Sequence, residues 1–187
     1  RNLKSKFQMV NQSYIDVGEI LGWHVWKVVK GPEFRYTHLA VAVYDLDNTN
    51  EDSETPKWTD LFPDLTEEEL EDWGEKNEKN RKIVFTTQMK NVAEVLQKGV
   101  TTYPDIAVCN FMKAKHGYSK SYEDFEKLNT KSISPNSLRR GWSLAKRIDN
   151  PGTEVSWTHF TVDWFDKYSD FLKARSGPSS DWASDAN

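Results

Sequence analysis

An internal repeat constrains the fold of this 187-residue chain more than any other feature. Residues 22–29 match residues 141–148 in a Gly-Trp-x-aliphatic-x-Lys pattern, with the glycine, tryptophan and lysine identical. After a short loop in each copy, residues 36–45 match residues 157–166, with threonine, histidine, valine and a closing aspartate recurring in order. Because chance seldom produces two such matches at nearly the same separation, we infer a duplication.

Each matched pair predicts a β-hairpin, because both runs are rich in β-branched and aromatic residues and a turn with Pro and Gly separates them. Apolar residues at three- and four-residue steps predict helices before each hairpin and after the second. They are Leu3, Phe7, Val10, Tyr14, Val17 and Leu21, then Tyr118, Tyr122, Phe125 and Leu128, then Tyr168, Phe171 and Leu172. Thr66 followed by Glu69 predicts a capping box that begins another helix. Aliphatic runs predict strands at 83–87 and 106–115.

The order of these elements in the second copy is strand, helix, strand, strand, helix, which is the ferredoxin-like βαββαβ pattern without its last strand. We therefore predict an α+β protein of two tandem ferredoxin-like repeats, residues 1–98 and 99–187, packed sheet to sheet. The opening strand of the first repeat is not in the sequence. Either the ends have been trimmed or the two halves complete each other, so both a monomer and a homodimer are compatible with the pattern.

A helix, a Gly-Trp strand and an aromatic strand that ends in Tyr44-Asp45 resemble the dimeric α+β barrel superfamily, in particular its small uncharacterised bacterial and marine-metagenome members. The resemblance implies two ferredoxin-like sheets that face each other around a cavity. That superfamily includes antibiotic-biosynthesis and heme-degrading monooxygenases, chlorite dismutases and lactone isomerases, so the resemblance implies a fold and not one reaction. Its heme-ligand and catalytic residues have no recognisable motif here, and no catalytic residue or cofactor is assigned.

Strand alternation predicts which side chains line that cavity. One apolar face, with Leu39, Val41, Val43, Phe160, Val162 and Trp164, is expected to pack beneath helices. The mixed face is expected to line the cavity, and an antiparallel register that places Lys27 opposite His38 and Lys146 opposite His159 adds two lysines to it. The predicted ligand-binding residues are His38, His159, Lys27, Lys146, Tyr36, Trp157, Tyr44, Phe165 and Asp163. In the alternative interpretation both histidines are satisfied structural residues and both lysines extend into solvent.

Composition narrows the classes of partner. The formal net charge of −4 argues against nucleic-acid binding, which depends on basic residues. No run of 18 apolar residues indicates a membrane span, and the expected location is the cytoplasm. The single cysteine, Cys109, excludes an internal disulfide and a multi-cysteine zinc site, and its apolar surroundings favour a small buried side chain. No metal site is predicted, although Asp163 would be the third ligand if the two histidines bound one.

These features favour a protein that binds a small, largely hydrophobic molecule between two sheets, with or without cofactor-free catalysis. The alternative is a structural or protein-interaction module with an occluded barrel, whose exposed tryptophans Trp58, Trp73 and Trp182 contact a partner. A weaker alternative, drawn from the resemblance, is a monooxygenase-like oxidoreductase.

Overall fold

The structure is a computed structural model in which the chain forms two compact units. Unit 1 comprises residues 1–86 and unit 2 residues 87–187. The described residues are 3–30, 36–45, 47, 54–128, 133–149 and 154–176. Helices and antiparallel strands occur in both units, which confirms the predicted α+β class.

Unit 1 contains three helices and one β-hairpin. Its elements are α1 (Leu3–Asp16), β1 (Gly22–Lys27), β2 (His38–Val43), α2 (Trp58–Leu61) and α3 (Glu67–Lys79). Helix α1 ends before the apolar stripe that predicted it, which extends to Leu21, because Gly18 adopts a left-handed φ of 77° that stops the helix. The capping box of α3 is confirmed: the backbone N–H of Glu69 donates to the Thr66 hydroxyl, and the Glu69 carboxylate accepts from the Thr66 backbone N–H.

The helices of unit 1 enclose a small core around Trp73. Val10, Phe62 and Leu70 form its buried cluster. Trp73 is only 7% exposed and packs against Trp58 with ring centroids 5.1 Å apart. The expectation that Trp73 is exposed for a partner is therefore wrong, because Leu70 and Trp73 lie three residues apart on one face of α3. Trp182 lies outside the described residues.

Unit 2 contains a four-stranded antiparallel sheet. Its elements are β3 (Met89–Leu96), β4 (Ile106–Met112), α4 (Ser119–Glu126), β5 (Gly141–Arg147), β6 (His159–Phe165) and α5 (Tyr168–Ser176). The strand order is β3-β5-β6-β4, so β6 lies between the two strands that α4 connects. This order is compatible with a ferredoxin-like arrangement.

One strand differs from the prediction in both position and partner. Residues 83–87 form no strand, and the strand that follows them, β3, pairs with β5 of unit 2. The sheet of unit 1 therefore has two described strands and that of unit 2 has four, and within the described residues neither closes into a barrel. The division into two tandem ferredoxin-like repeats at residue 98 stays a prediction.

The hairpin register follows the sequence prediction in both copies. Lys27 is the Cα partner of His38, and Lys146 is the Cα partner of His159. The turns predicted at 31–32 and 150–152 lie outside the described residues. Among the described helices, none combines the length and the apolar character that crossing a bilayer requires.

Candidate functional site

Helices α4 and α5 cover the face of the unit 2 sheet that carries His159 and Phe165. The His159 ring lies edge-on to Tyr122 of α4 at 4.8 Å between centroids, and the Phe165 ring lies 5.7 Å from Phe171 of α5. The predicted assignment of faces is therefore reversed in unit 2, since Phe160, Val162 and Trp164 alternate onto the face away from these helices. We call the face with His159 the helix-covered face.

A polar inner side of α4 explains this reversal. Ser119 and Glu123 point at the sheet, where Lys146 and His159 offer them hydrogen-bonding partners. Polar side chains on a helix can form hydrogen bonds with the polar side chains of a mixed sheet face. An apolar helix would leave those polar side chains without hydrogen-bonding partners. The helices therefore do not cover the uniformly apolar face of Phe160, Val162 and Trp164, although its apolar character had predicted this.

The buried imidazole of His159 has a partner on each ring nitrogen. Its side chain is 0% exposed; Nδ1 lies 2.9 Å from Oγ1 of Thr158, and Nε2 lies 3.3 Å from Oγ of Ser119. Oε1 of Glu123 lies 3.4 Å from Nε2 and accepts a hydrogen bond of 2.9 Å from Nζ of Lys146. We call these five residues, Ser119, Glu123, Lys146, Thr158 and His159, the His159 network.

The charged groups of the network are Lys146 and Glu123, which form an ion pair. Burial lowers the pKa of His159, and the neighbouring Glu123 only partly opposes this effect. Burial also disfavours the Glu123 carboxylate, but hydrogen bonds from Lys146 and His159 outweigh burial and hold its pKa below the ordinary value. At neutral pH the imidazole is therefore neutral, with Nε2–H facing the carboxylate and Nδ1 free to accept from the Thr158 hydroxyl.

The geometry of the network does not place Ser119 as the nucleophile of a Ser-His-acid relay. In a Ser-His-acid arrangement the acid orients the imidazole from the nitrogen opposite the nucleophile. Here Ser119 and Glu123 both face Nε2, and the other nitrogen faces Thr158. Because His159 also has no exposed surface, this arrangement is that of a satisfied buried histidine.

The neutral buried imidazole leads to a prediction for the pH dependence of stability. A histidine whose pKa is lowered by folding stabilises the fold fully above its unfolded value near 6.5, and this contribution is lost as the pH falls toward the folded pKa. We expect the urea midpoint, and with it the free energy of unfolding, to rise between pH 5 and pH 7. His159→Gln should flatten this rise. The matched change His38→Gln in unit 1 should leave it intact, and an equal effect of both changes would contradict the prediction.

A buried ion pair lies beside the network on the same face. Nη1 of Arg139 donates to Oδ1 of Asp163 at 3.0 Å, and the two side chains are only 10% and 4% exposed. Burial raises the pKa of Asp163, and the Arg139 guanidinium limits the rise. Asp163, predicted as a ligand-binding residue, is thus paired within the protein. Sequence reasoning did not identify Arg139, whose only signal is its position just before β5.

The first Lys-His pair has different surroundings. Lys27 and His38 lie opposite each other, but both are exposed, and Nδ1 of His38 lies 3.0 Å from Oγ1 of the neighbouring Thr37. Tyr44 is 59% exposed, and Tyr36 packs edge-on against a ring of its own unit, Phe85, at 5.6 Å. The two hairpins therefore share their strand pairing but differ in burial, since His159 is buried and His38 is exposed.

The two remaining predicted residues do not join His159 in one site. Trp157 packs on Phe111 and beneath the Arg147 guanidinium, which lies 4.4 Å from its ring centroid. Arg147 follows Lys146 in β5 and so points to the opposite face, which places Trp157 away from His159. Phe165 is fully buried and forms part of the core.

An open groove of about 510 Å³ lies between α4 and the residues that follow β4, and we call it the α4 groove. Its lining includes Lys113, Lys115, Tyr118, Tyr122 and Phe125. Tyr118 and Phe125 are 63% and 59% exposed, and Leu128 is also more than half exposed. The helix predicted from these apolar residues is present, but most of them are exposed, because Ser119 and Glu123 of α4 face the sheet instead.

Two further observations bear on the chemistry of the described residues. No group of three or more His, Cys, Asp or Glu side chains within the described ranges could hold a metal ion. Burial raises the pKa of the Cys109 thiol to about 12, so this cysteine is protonated and unreactive at neutral pH. Comparisons with family models, curated proteins and solved structures gave no match to this chain.

Proposed function

We propose that unit 2 binds a small, largely hydrophobic molecule that carries an acidic group, and that the molecule occupies the α4 groove. The observation that carries this proposal is the inverted polarity of α4. The polar side chains Ser119 and Glu123 face the sheet, and the aromatic side chains Tyr118 and Phe125 face outward. Surface helices of globular proteins have the opposite arrangement, so an exposed aromatic stripe marks a contact surface.

The aromatic side chains supply the apolar part of recognition. Tyr118 and Phe125 each keep more than half of their surface in contact with water, which a ligand ring would displace. Covering this surface contributes roughly 1 kcal/mol or more for each ring, through apolar burial and ring stacking. Ligands of one or two fused rings fit a groove of this size and shape.

The lysines supply the charge preference. Lys113 and Lys115 follow β4 and line the groove, and no carboxylate is among its described lining residues. An acidic group on the ligand would therefore be attracted by the two lysine ammonium groups, which would disfavour a cationic ligand. Together the aromatic surface and the two ammonium groups favour an amphipathic organic acid.

The His159 network supports the groove from below. Tyr122 contributes to the groove lining, and its ring rests edge-on against the His159 ring. The Lys146–Glu123 ion pair and the contacts of Ser119 hold α4 against the sheet. In this proposal His159 and Lys146 are positioning residues and do not contact the ligand. The ligand binds beside α4, whereas the sequence analysis placed it between the two sheets.

Two fluorescent probes with the same ring system test the proposal. Anilinonaphthalene sulfonate is anionic, and phenylnaphthylamine lacks the sulfonate. We expect saturable binding of the anionic probe at one site, and a loss of affinity of about thirtyfold or more when Tyr118→Ala and Phe125→Ala are combined, since two rings are removed. Lys113→Gln combined with Lys115→Gln should weaken binding of the sulfonate probe while leaving that of phenylnaphthylamine nearly unchanged.

The matched control is Tyr168→Ala, which removes a partly exposed aromatic ring from α5 in the same unit. It should leave the affinity for both probes unchanged. Circular dichroism of every variant must match that of the unmodified protein, because partly unfolded protein also binds these probes. Probe affinity that is insensitive to the α4 changes, or equally sensitive to Tyr168→Ala, would show that the groove is not the binding site.

A further inference from the structure

Strand β2 is an edge strand of the hairpin in unit 1. Among the described residues only β1 pairs with it, and its opposite edge has no strand partner. Its side chains are largely exposed to solvent, Val41 at 37% and Val43 at 41%. A two-stranded hairpin is at most marginally stable by itself and gains stability from further strands or packing.

The free edge of β2 has none of the features that protect edge strands from pairing. Its sequence from Leu39 to Val43 is Leu-Ala-Val-Ala-Val, with no charged residue and no proline. The register with β1 is regular over all six residue pairs, so no bulge twists the edge away. Natural edge strands that remain unpaired usually carry lysine, proline or a bulge for this purpose.

The duplicated hairpin in unit 2 shows what this edge can accept. Strand β6, the repeat equivalent of β2, pairs with β5 on one edge and with β4 on the other. The strand β4 is itself uncharged, with the sequence Ile-Ala-Val-Cys-Asn-Phe-Met. The position that β4 occupies beside β6 has no described occupant beside β2.

We propose that two copies of this chain pair edge to edge through β2, in antiparallel orientation, and form a four-stranded sheet of order β1-β2-β2-β1. A two-fold axis perpendicular to the sheet uses the same edge twice and closes the assembly at two copies. Pairing β2 with the outer edge of β4 from another copy would instead use two different edges and build open polymers. Because β2 is uncharged between its ends, two copies meet without repulsion. This assembly does not depend on the α4 groove.

Light scattering during size-exclusion chromatography tests this assembly on the full chain. We expect the unmodified protein to have twice the mass of one chain, and Val41→Lys to have the mass of one chain. Val25→Lys is the matched control, because it adds the same charge to an exposed valine of the same hairpin, on β1 instead of β2. It should remain a dimer.

A mixing experiment separates loss of pairing from loss of folding. The two-fold axis keeps residue 41 of both copies on the same face of the sheet, so opposite charges there attract each other. An equimolar mixture of Val41→Lys and Val41→Glu proteins should therefore regain the dimer mass, although each alone is monomeric. A monomeric unmodified protein, a dimeric Val41→Lys protein, dissociation by Val25→Lys, or a mixture that stays monomeric would each overturn the assembly.

Discussion

Replacing Arg139 by methionine should destabilise unit 2 by about 3–5 kcal/mol, because it leaves the Asp163 carboxylate buried without its partner. Asp163 is 3% exposed, so its carboxylate is not solvated by bulk water. Hydrogen exchange measured by mass spectrometry reports this loss locally, and peptides from β5 and β6 should lose protection while those from β1 and β2 do not.

The pH dependence identifies the carboxylate as the cause. Burial already raises the pKa of Asp163, and loss of Arg139 raises it further. A carboxyl group whose folded pKa exceeds its unfolded pKa favours the folded state at low pH and loses that contribution as the pH rises. Arg139→Met should therefore be less destabilising at pH 5 than at pH 7.

Two further variants make the Arg139 prediction falsifiable. Combining Arg139→Met with Asp163→Leu should recover most of the lost stability, since a buried ion pair exchanged for apolar residues is often nearly neutral. Lys120→Met removes an exposed partner of Asp124, 3.1 Å away, and should cost no more than about 1 kcal/mol. A double variant as unstable as Arg139→Met would indicate that shape, and not the unpaired charge, causes the loss.

Phe165→Ala should destabilise unit 2 by about 3–5 kcal/mol, which is typical for removing a fully buried ring. Phe165 is 0% exposed and packs against Phe171 of α5, so the substitution leaves a cavity between sheet and helix. The repeat supplies a matched control in Tyr44, which occupies the equivalent position after β2 and is 59% exposed. Tyr44→Ala should change stability by less than about 1 kcal/mol.

Urea denaturation with far-ultraviolet circular dichroism measures both changes, and hydrogen exchange assigns each to its unit. Comparable losses from Phe165→Ala and Tyr44→Ala would mean that the two copies bury this position alike. That outcome would contradict the different burial of the two hairpins and restore the closer equivalence predicted from the sequence.

Local features of this chain were predictable from sequence because each depends on neighbouring residues. The capping box of Thr66 and Glu69 requires only their spacing of three residues. The register that places Lys27 opposite His38, and Lys146 opposite His159, follows from the two-residue period of strands and from matching two copies of one hairpin. The α+β class and the pairing within each hairpin therefore follow from local sequence patterns.

Which face of the unit 2 sheet the helices cover depends on contacts between distant segments, and no local pattern predicts it. Strand alternation separates His159 from Phe160 but does not state which of them lies beneath a helix. That choice depended on Glu123, far from both in sequence, whose carboxylate meets Lys146 and the imidazole. Local patterns also do not predict that β3 pairs with β5 or that Arg139 pairs with Asp163. Both contacts join segments that are distant in sequence, and their energies depend on burial and on partners that only folding brings together.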